Sequence, residues 1–345
     1  MIIQLSIFFN TSISLLHNME KLRGKFVGTL LGTAIGDALG RPFEGWSRRQ
    51  IEANFERLTD LLPDLFSGGF PAGQYTDDTQ LTIAIAESLV RSKGFDLDDL
   101  ISRFIDWLSE PPIGPGYGCL SSIRKLRTGY SWEQAASDSG GNGTAMRVSP
   151  IGLFYHNDIS KLIETARMSS IITHSHWAAT ASAIVVARSI AYLINCDSLD
   201  TDDFLQQVAS SIESPKFEAY SKNILKLKEF LKMDKNEALI ELGGIGIKPP
   251  WPNPAKTRQG FIAAYAMSTT LSALYCFLLT PEDFENSVVE AVMAGGDTDT
   301  CGAITGSISG AFNGIEKIPV NWINTVVNSK RIEELAIQLF ELTQE

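Results

Sequence analysis

The sequence predicts an all-α protein, and three observations carry that reading. Apolar residues recur at helical spacing along most of the chain, in segments rich in Ala, Leu, Ile and Ser. Strand-like alternation is scarce, and no βαβ rhythm appears. Helix-start chemistry precedes several segments: Thr280-Pro281-Glu282-Asp283 places a proline and acids in a first turn, and Thr201-Asp202-Asp203 does likewise with acids.

The spacing predicts helices over about 21–40, 47–54, 78–93, 97–109, 119–128, 131–138, 144–155, 160–172, 177–195, 201–211, 216–231, 235–241, 259–278, 281–294, 299–312, 319–328 and 331–343. Gly28, Gly32 and Gly36 recur four apart, so one face of the first helix lets another backbone approach closely. Stretches 63–75, 110–118, 138–143 and 243–258 are rich in Gly and Pro and read as loops. No composition shift divides the chain. Residues 19–345 therefore read as one helical domain whose loops gather around a site. The opening MIIQLSIFFNTSISLLHN is apolar but lacks a basic leader and a small-residue cleavage site, so a signal peptide fits poorly. Residues 1–18 are expected to stand outside the domain, with Met19 as the biological start. No other segment reads as long and apolar enough to cross a bilayer.

With 345 residues, 44% hydrophobic and 20% charged, the chain can bury a sizeable core. A net charge of -11 argues against a phosphate-neutralising surface, so nucleic-acid binding is not expected. Cys119, Cys196, Cys276 and Cys301 show neither a disulfide framework nor a paired zinc spacing, and read as free thiols in a reducing cytoplasm.

Chemistry concentrates in two acidic clusters more than two hundred residues apart: Thr76-Asp77-Asp78-Thr79 and Asp297-Thr298-Asp299-Thr300. Each stands just before an apolar, small-residue helix. Alone, each reads as a helix cap. Brought together, four carboxylates would crowd one spot, and like charges that close cannot all stay ionised without a cation between them. An all-oxygen donor set points to a hard metal such as Mg²⁺ or Mn²⁺ and away from zinc. Gly295-Gly296, ahead of the second cluster, suits close backbone approach to a ligand. A metal-dependent hydrolase is the reading this supports.

Other motifs carry two readings each. Asp37, late in GTLLGTAIGDALG, is either a helix-end polar contact or a ligand. Glu44, on a Gly/Pro-rich loop, matters only if that loop folds over the acids. The glycine turns at 116–119 and 139–145 are plain loops or cradles for phosphate or sugar oxygens. His174, at a helix start expected in THSHWAAT, is the better site candidate of its two histidines. Trp177, Trp251, Tyr117 and Tyr265 are core residues or nucleobase stackers.

In GDALGRPFE, GQYTDDTQ, GYG, GNGTAMR, THSH and GGDTDT, taken in this order from about Leu22 to Gly314, the chain resembles the ADP-ribosylglycohydrolase family. The resemblance implies an orthogonally packed all-α fold with two Mg²⁺ or Mn²⁺ ions in a cleft. It implies Thr76, Asp77, Asp78, Asp297, Asp299 and Thr300 as metal ligands, and Glu44 as a mobile glutamate that guards the metals. Gly116, Tyr117, Gly118, Cys119, Ser139, Gly141, Asn142, Gly143 and Met146 would lie along the diphosphate and neighbouring ribose, with His174 beside the distal ribose. Some relatives carry an aromatic just before the GNG turn, where Gly140-Gly141 stand here.

The chemistry implied is hydrolysis of a glycosidic bond of ADP-ribose, on an ADP-ribosylated protein or a small conjugate, through an oxocarbenium-like transition state. Glu44, Asp78 and Asp299 are the candidate catalytic carboxylates. Two rival readings stand beside it: a two-metal phosphoester or nucleotide hydrolase, and a non-catalytic ADP-ribose-binding or crystallin-like protein. No membrane partner is expected, and a monomer is favoured.

Overall fold

The computed structural model describes residues 2–65, 69–247 and 260–345, with side chains from His17 onward. Among the described residues there are helices, loops and isolated bridges, and no strand. In chain order the helices are α1 (Ile2–Gly40), α2 (Arg48–Asn54), α3 (Asp77–Ser92), α4 (Leu97–Trp107), α5 (Tyr117–Arg127), α6 (Trp132–Ala135), α7 (Ser149–Phe154), α8 (Ile159–Ile171) and α9 (Trp177–Ile194). There follow α10 (Thr201–Ser210), α11 (Glu218–Leu225), α12 (Leu227–Phe230), α13 (Lys235–Leu242), α14 (Ala266–Leu279), α15 (Phe284–Met293), α16 (Thr298–Asn313), α17 (Val320–Thr325) and α18 (Ser329–Leu342).

The spine is the pair α1 and α16. Gly28 lies against Gly310, Gly32 against Gly306 and Gly36 against Gly302. Numbers rise on one helix as they fall on the other, so the two run antiparallel. A Cβ at any of these glycines would overlap the partner's backbone, so only glycine permits the approach. The last rung sets the site. Gly40, ending α1, abuts Thr298, which opens α16, and the Thr298 hydroxyl donates to the Gly40 carbonyl at 2.8 Å. One end of the ladder therefore joins the GDALG segment to the GGDTDT segment, 258 residues apart.

Helix α3 docks on the same end. Asp37, fully buried on α1, faces its N-terminus and accepts from the Thr76 N–H (3.0 Å) and hydroxyl (2.9 Å) and from the Thr79 N–H (3.1 Å) and hydroxyl (2.6 Å). A carboxylate from another helix thus satisfies donors that a helix start leaves orphaned. Helices α9, α14 and α15 surround α16. Lys25, buried on α1, closes the far end of α9 by donating to the carbonyls of Leu193 (3.1 Å), Ile194 (3.2 Å) and Cys196.

Several sequence expectations change. Helix α1 starts at Ile2 rather than near residue 21, because no Gly or Pro interrupts the chain before Gly24. The expectation that residues 1–18 stand outside the domain falls mostly on side chains outside the described residues. The helix expected over 144–155 begins only at Ser149, the one over 259–278 at Ala266, and the one over 216–231 divides at Lys226. Helix α9 is, by length and mean hydropathy (1.5), apolar enough to cross a bilayer, against the expectation that nothing after residue 18 would be. Its apolarity has another cause: 89% of it is buried inside the domain, and a helix enclosed on every side is hydrophobic all round.

Candidate functional site

The two acidic helix starts meet. Thr76 is the N-cap of α3, and its hydroxyl accepts from the Asp78 N–H at 3.4 Å. Asp77 and Asp78 occupy the first turn of α3, and Asp299 that of α16, where helix dipoles favour negative charge. Thr76, Asp77, Asp78, Asp297, Asp299 and Thr300 are all buried. The Thr76 hydroxyl also donates to Asp78 Oδ2 at 3.2 Å, and Thr300 faces Asp78 across the gap between the helices.

The charges bear on one another. Burial pushes Asp78 well above the usual carboxylate range, and Asp37, Asp77 and Asp297 push it further. Burial does the same to Asp299, with Glu44, Asp297 and Asp78 adding to it. Asp77 is raised by burial, then by Asp37, Glu44 and Asp297, while the Gly116 N–H opposes the rise. Burial also raises Asp297, against a hydrogen bond from Asn142. Asp37 rises to about 6, burial outweighing its four hydrogen-bonding partners.

The GG pair that leads into α16 is threaded between two other segments. Gly295 and Gly296 have φ of +77° and +90°, where a side chain would be strained. On one side the Gly45 N–H donates to the Gly296 carbonyl (2.8 Å) and the Gly296 N–H to the Trp46 carbonyl (2.7 Å). On the other, the Ile262 N–H donates to the Gly295 carbonyl and the Asp297 N–H to the Ile262 carbonyl, both 2.9 Å. The close approach expected toward a ligand is thus made by backbone, since a Cβ on Gly296 would overlap Ile262. This threading carries the Glu44 loop over the acids. Oxygens of Glu44, Asp297 and Asp299 lie within 4.8 Å of one another.

The glycine turns adjoin the acids. The Gly116 N–H donates to Asp77 at 3.2 Å, and the Asn142 amide donates to Asp297 and, at 3.0 Å, to the Thr269 hydroxyl. Asn142, which the resemblance would set along the diphosphate and ribose, is buried and supports Asp297. The Ser139 hydroxyl accepts from the Gly141 N–H at 3.1 Å. The two turns close around His174: a Cβ on Gly118 would lie 2.6 Å from its Nε2, and one on Gly143 3.2 Å from its Cε1. His174 is buried, bonds Thr173 through Nδ1 at 2.9 Å, and is pushed down to about 3 by burial and then by Arg147. It does not begin a helix; the N-cap of α9 is His176. Cys119 and Met146 point into the interior, whereas Tyr117 is 85% exposed. Tyr265 packs beside the turn, where a Cβ on Gly140 would lie 2.6 Å from its ring. Trp177 stacks on Phe217, and Trp251 lies outside the described residues.

Sequence reasoning missed Arg41 and Asp64. Arg41 is buried and pairs with Glu44, with Asp64 (3.1 Å) and, more distantly, with Asp299 (3.9 Å). Its place directly after GDALG, three residues before Glu44, was the available signal.

The donor set fits a hard divalent cation. It is all oxygen, and Asp78 Oδ1 is buried with no hydrogen-bond partner among the described residues. Leaving a buried carboxylate oxygen unsatisfied is costly unless something positive faces it.

A helical domain that closes two acidic helix starts on one another beside glycine turns places the chain in a definite class. The protein belongs to the ADP-ribosylglycohydrolase family, whose model matches residues 18–345. It is 33% identical over 323 residues to an uncharacterized protein of Archaeoglobus fulgidus, covering 92% of this chain and 96% of that one. It is 28% identical over 360 residues to ADP-ribosylhydrolase ARH3 of Bos taurus, covering 93% of each, and 26% identical over 347 residues to that of Homo sapiens, covering 93% and 94%. A solved structure named ADP-ribosylglycohydrolase-related protein complex matches with a TM-score of 0.62 at 28% identity, over 94% of this chain and 99% of that one.

Proposed function

We propose that the protein hydrolyses the glycosidic bond of ADP-ribosylated protein side chains, or of related ADP-ribose conjugates, with two divalent cations, Mg²⁺ or Mn²⁺. Thr76, Asp77, Asp78, Asp297, Asp299 and Thr300 would hold them. The observation that carries this reading is the meeting of two acidic helix starts around an unsatisfied buried oxygen, Asp78 Oδ1. When bound, such cations supply charge stabilisation and acidify water.

The chain's own groups supply the rest. Asp37 fixes Thr76 and Thr79 and so aims the first turn of α3. Gly116 and Asn142 tie the two glycine turns to Asp77 and Asp297, so a diphosphate seated on the turns places its ribose against the acids. Glu44 is the carboxylate of the cluster with an exposed side chain, at 45%, and can pass a proton to solvent. We assign it as the general base, raised above its usual range by burial and then by Asp297, toward the range useful for that role. Water adds to the anomeric carbon and gives a proton to Glu44 as the glycosidic bond breaks, the leaving group departs with a proton from solvent, and nearby carboxylates favour the positive charge that develops at that carbon.

A mass-spectrometric release assay on matched Arg- and Ser-ADP-ribosylated peptides, with Mg²⁺ and with chelator, tests this and reads the linkage. Free ADP-ribose that disappears with chelator is expected. Inorganic phosphate without free ADP-ribose would replace the reading with a phosphoester hydrolase, and tight ADP-ribose binding without turnover with a binding protein.

A further inference from the structure

We propose that Arg41 is the latch that holds the Glu44 loop closed over the carboxylate cluster, acting as a positioning residue for Glu44. The inference rests on the metal reading above. Arg41 joins three chain segments at one guanidinium. Nε reaches Asp64 Oδ2 at 3.1 Å, while Nη1 pairs with Glu44 Oε2 and lies 3.9 Å from Asp299 Oδ2. Asp64 is a fixed post: it is buried, and its backbone exchanges two hydrogen bonds with Phe70, at 3.1 and 3.0 Å. The 110–118 loop closes the guanidinium in, since a Cβ on Gly114 would stand 3.1 Å from Nη1.

Glu44 needs such a tie. Its side chain is nearly half exposed, yet its carboxylate lies beside Asp297 and Asp299. Repulsion from those two would drive an unheld glutamate outward into water, where its charge is better solvated. The Glu44 side chain has room to swing that way while the Gly45 and Trp46 backbone stays bonded to Gly296. Gly45, at φ +83°, has open space around the position of a side chain. Beside the loop lies an apolar cleft of about 210 Å³, lined by Phe43, Trp46, Phe55, Leu62 and Leu65. Arg41 reaches both Glu44 and Asp64, and its planar fork can serve two carboxylates at once, whereas a lysine ammonium would favour one.

The test follows Mn²⁺ leaving the loaded full-length protein into excess chelator, by electron paramagnetic resonance, with thermal melts to confirm folding. In Arg41→Gln the release rate is expected to rise about tenfold, the low end of what a metal site loses with an outer-shell partner. Arg41→Lys should fall between, and Asp64→Asn should also speed release. If Arg41 acts through Glu44, the double variant Arg41→Gln/Glu44→Gln releases no faster than Glu44→Gln alone. A merely structural arginine would give additive effects. Wild-type release in Arg41→Gln, or additivity in the double variant, overturns the latch while the metal reading stands. Where Arg41→Gln does not fold, Arg41→Lys and Asp64→Asn decide by the same criterion. A wild-type protein that takes up no Mn²⁺ overturns the metal reading and the latch with it.

Discussion

Asp37 and Asp299 show how one residue type takes two tasks at neighbouring positions. Asp37 is saturated by Thr76 and Thr79, which makes it a brace, whereas Asp299 faces other carboxylates and Arg41. Asp299→Asn is therefore expected to abolish turnover and weaken Mn²⁺ binding while circular dichroism stays native; retained turnover would remove Asp299 from the site. The raised carboxyls also fix a pH dependence. An unfolded Asp37 ionises near 3.8 and the folded one near 6, so its stabilising protonated state is fully present below the first value and lost as pH rises through the second. Asp77, Asp78 and Asp299 shift in the same direction. Chelated protein should melt at a higher temperature at about pH 5 than at about pH 7.5, and saturating Mn²⁺ should raise the melting point most at the higher pH. Equal melting points in chelator would contradict this. The TDDT and GGDTDT residues were legible because acids at helix starts stand out against apolar helices. The roles of Asp37, Asn142 and Arg41 were not, since each depends on a partner brought close only by folding.

At the scale of elements, the glycine ladder does the placing. It sets the register of α1 against α16 and so brings Asp37 and Gly40 beside Thr298. Gly306→Ala should cost about 1–3 kcal/mol, since its methyl group would overlap the Gly32 backbone. It should weaken Mn²⁺ binding from a distance, without touching an acid. Thermal melts with Mn²⁺ titration check both, and an unchanged melting point would show that the helices can part freely. Half of the ladder was legible in Gly28, Gly32 and Gly36. The matching spacing of Gly302, Gly306 and Gly310 was equally visible but had no partner until the pairing was known. Gly295-Gly296 was read toward a ligand because the sequence does not show that Trp46 and Ile262 flank it. The long apolar α9 and its burial come from the same cause, enclosure by the other helices.

The whole molecule is acidic, at -11, although the family's substrates carry ADP-ribose, whose diphosphate is anionic. The net charge gives such a substrate no overall attraction, and under the proposed function its affinity would come from short-range contacts at the turns and the acid cluster. Raising salt from about 50 to about 200 mM should leave KM for an ADP-ribosylated peptide unchanged or lower it, because screening removes repulsion. A KM that climbs steeply with salt would point to a basic docking surface instead. The fold class was legible because helical periodicity is local. The packing of the carboxylate cluster was not, because segments from both ends of the chain build it. Anomalous diffraction at the manganese edge, from crystals grown with Mn²⁺, tests the centre of this account most directly. Two peaks between Asp77-Asp78 and Asp297-Asp299 are the expected result. An active protein with no peak between those helix starts would contradict it.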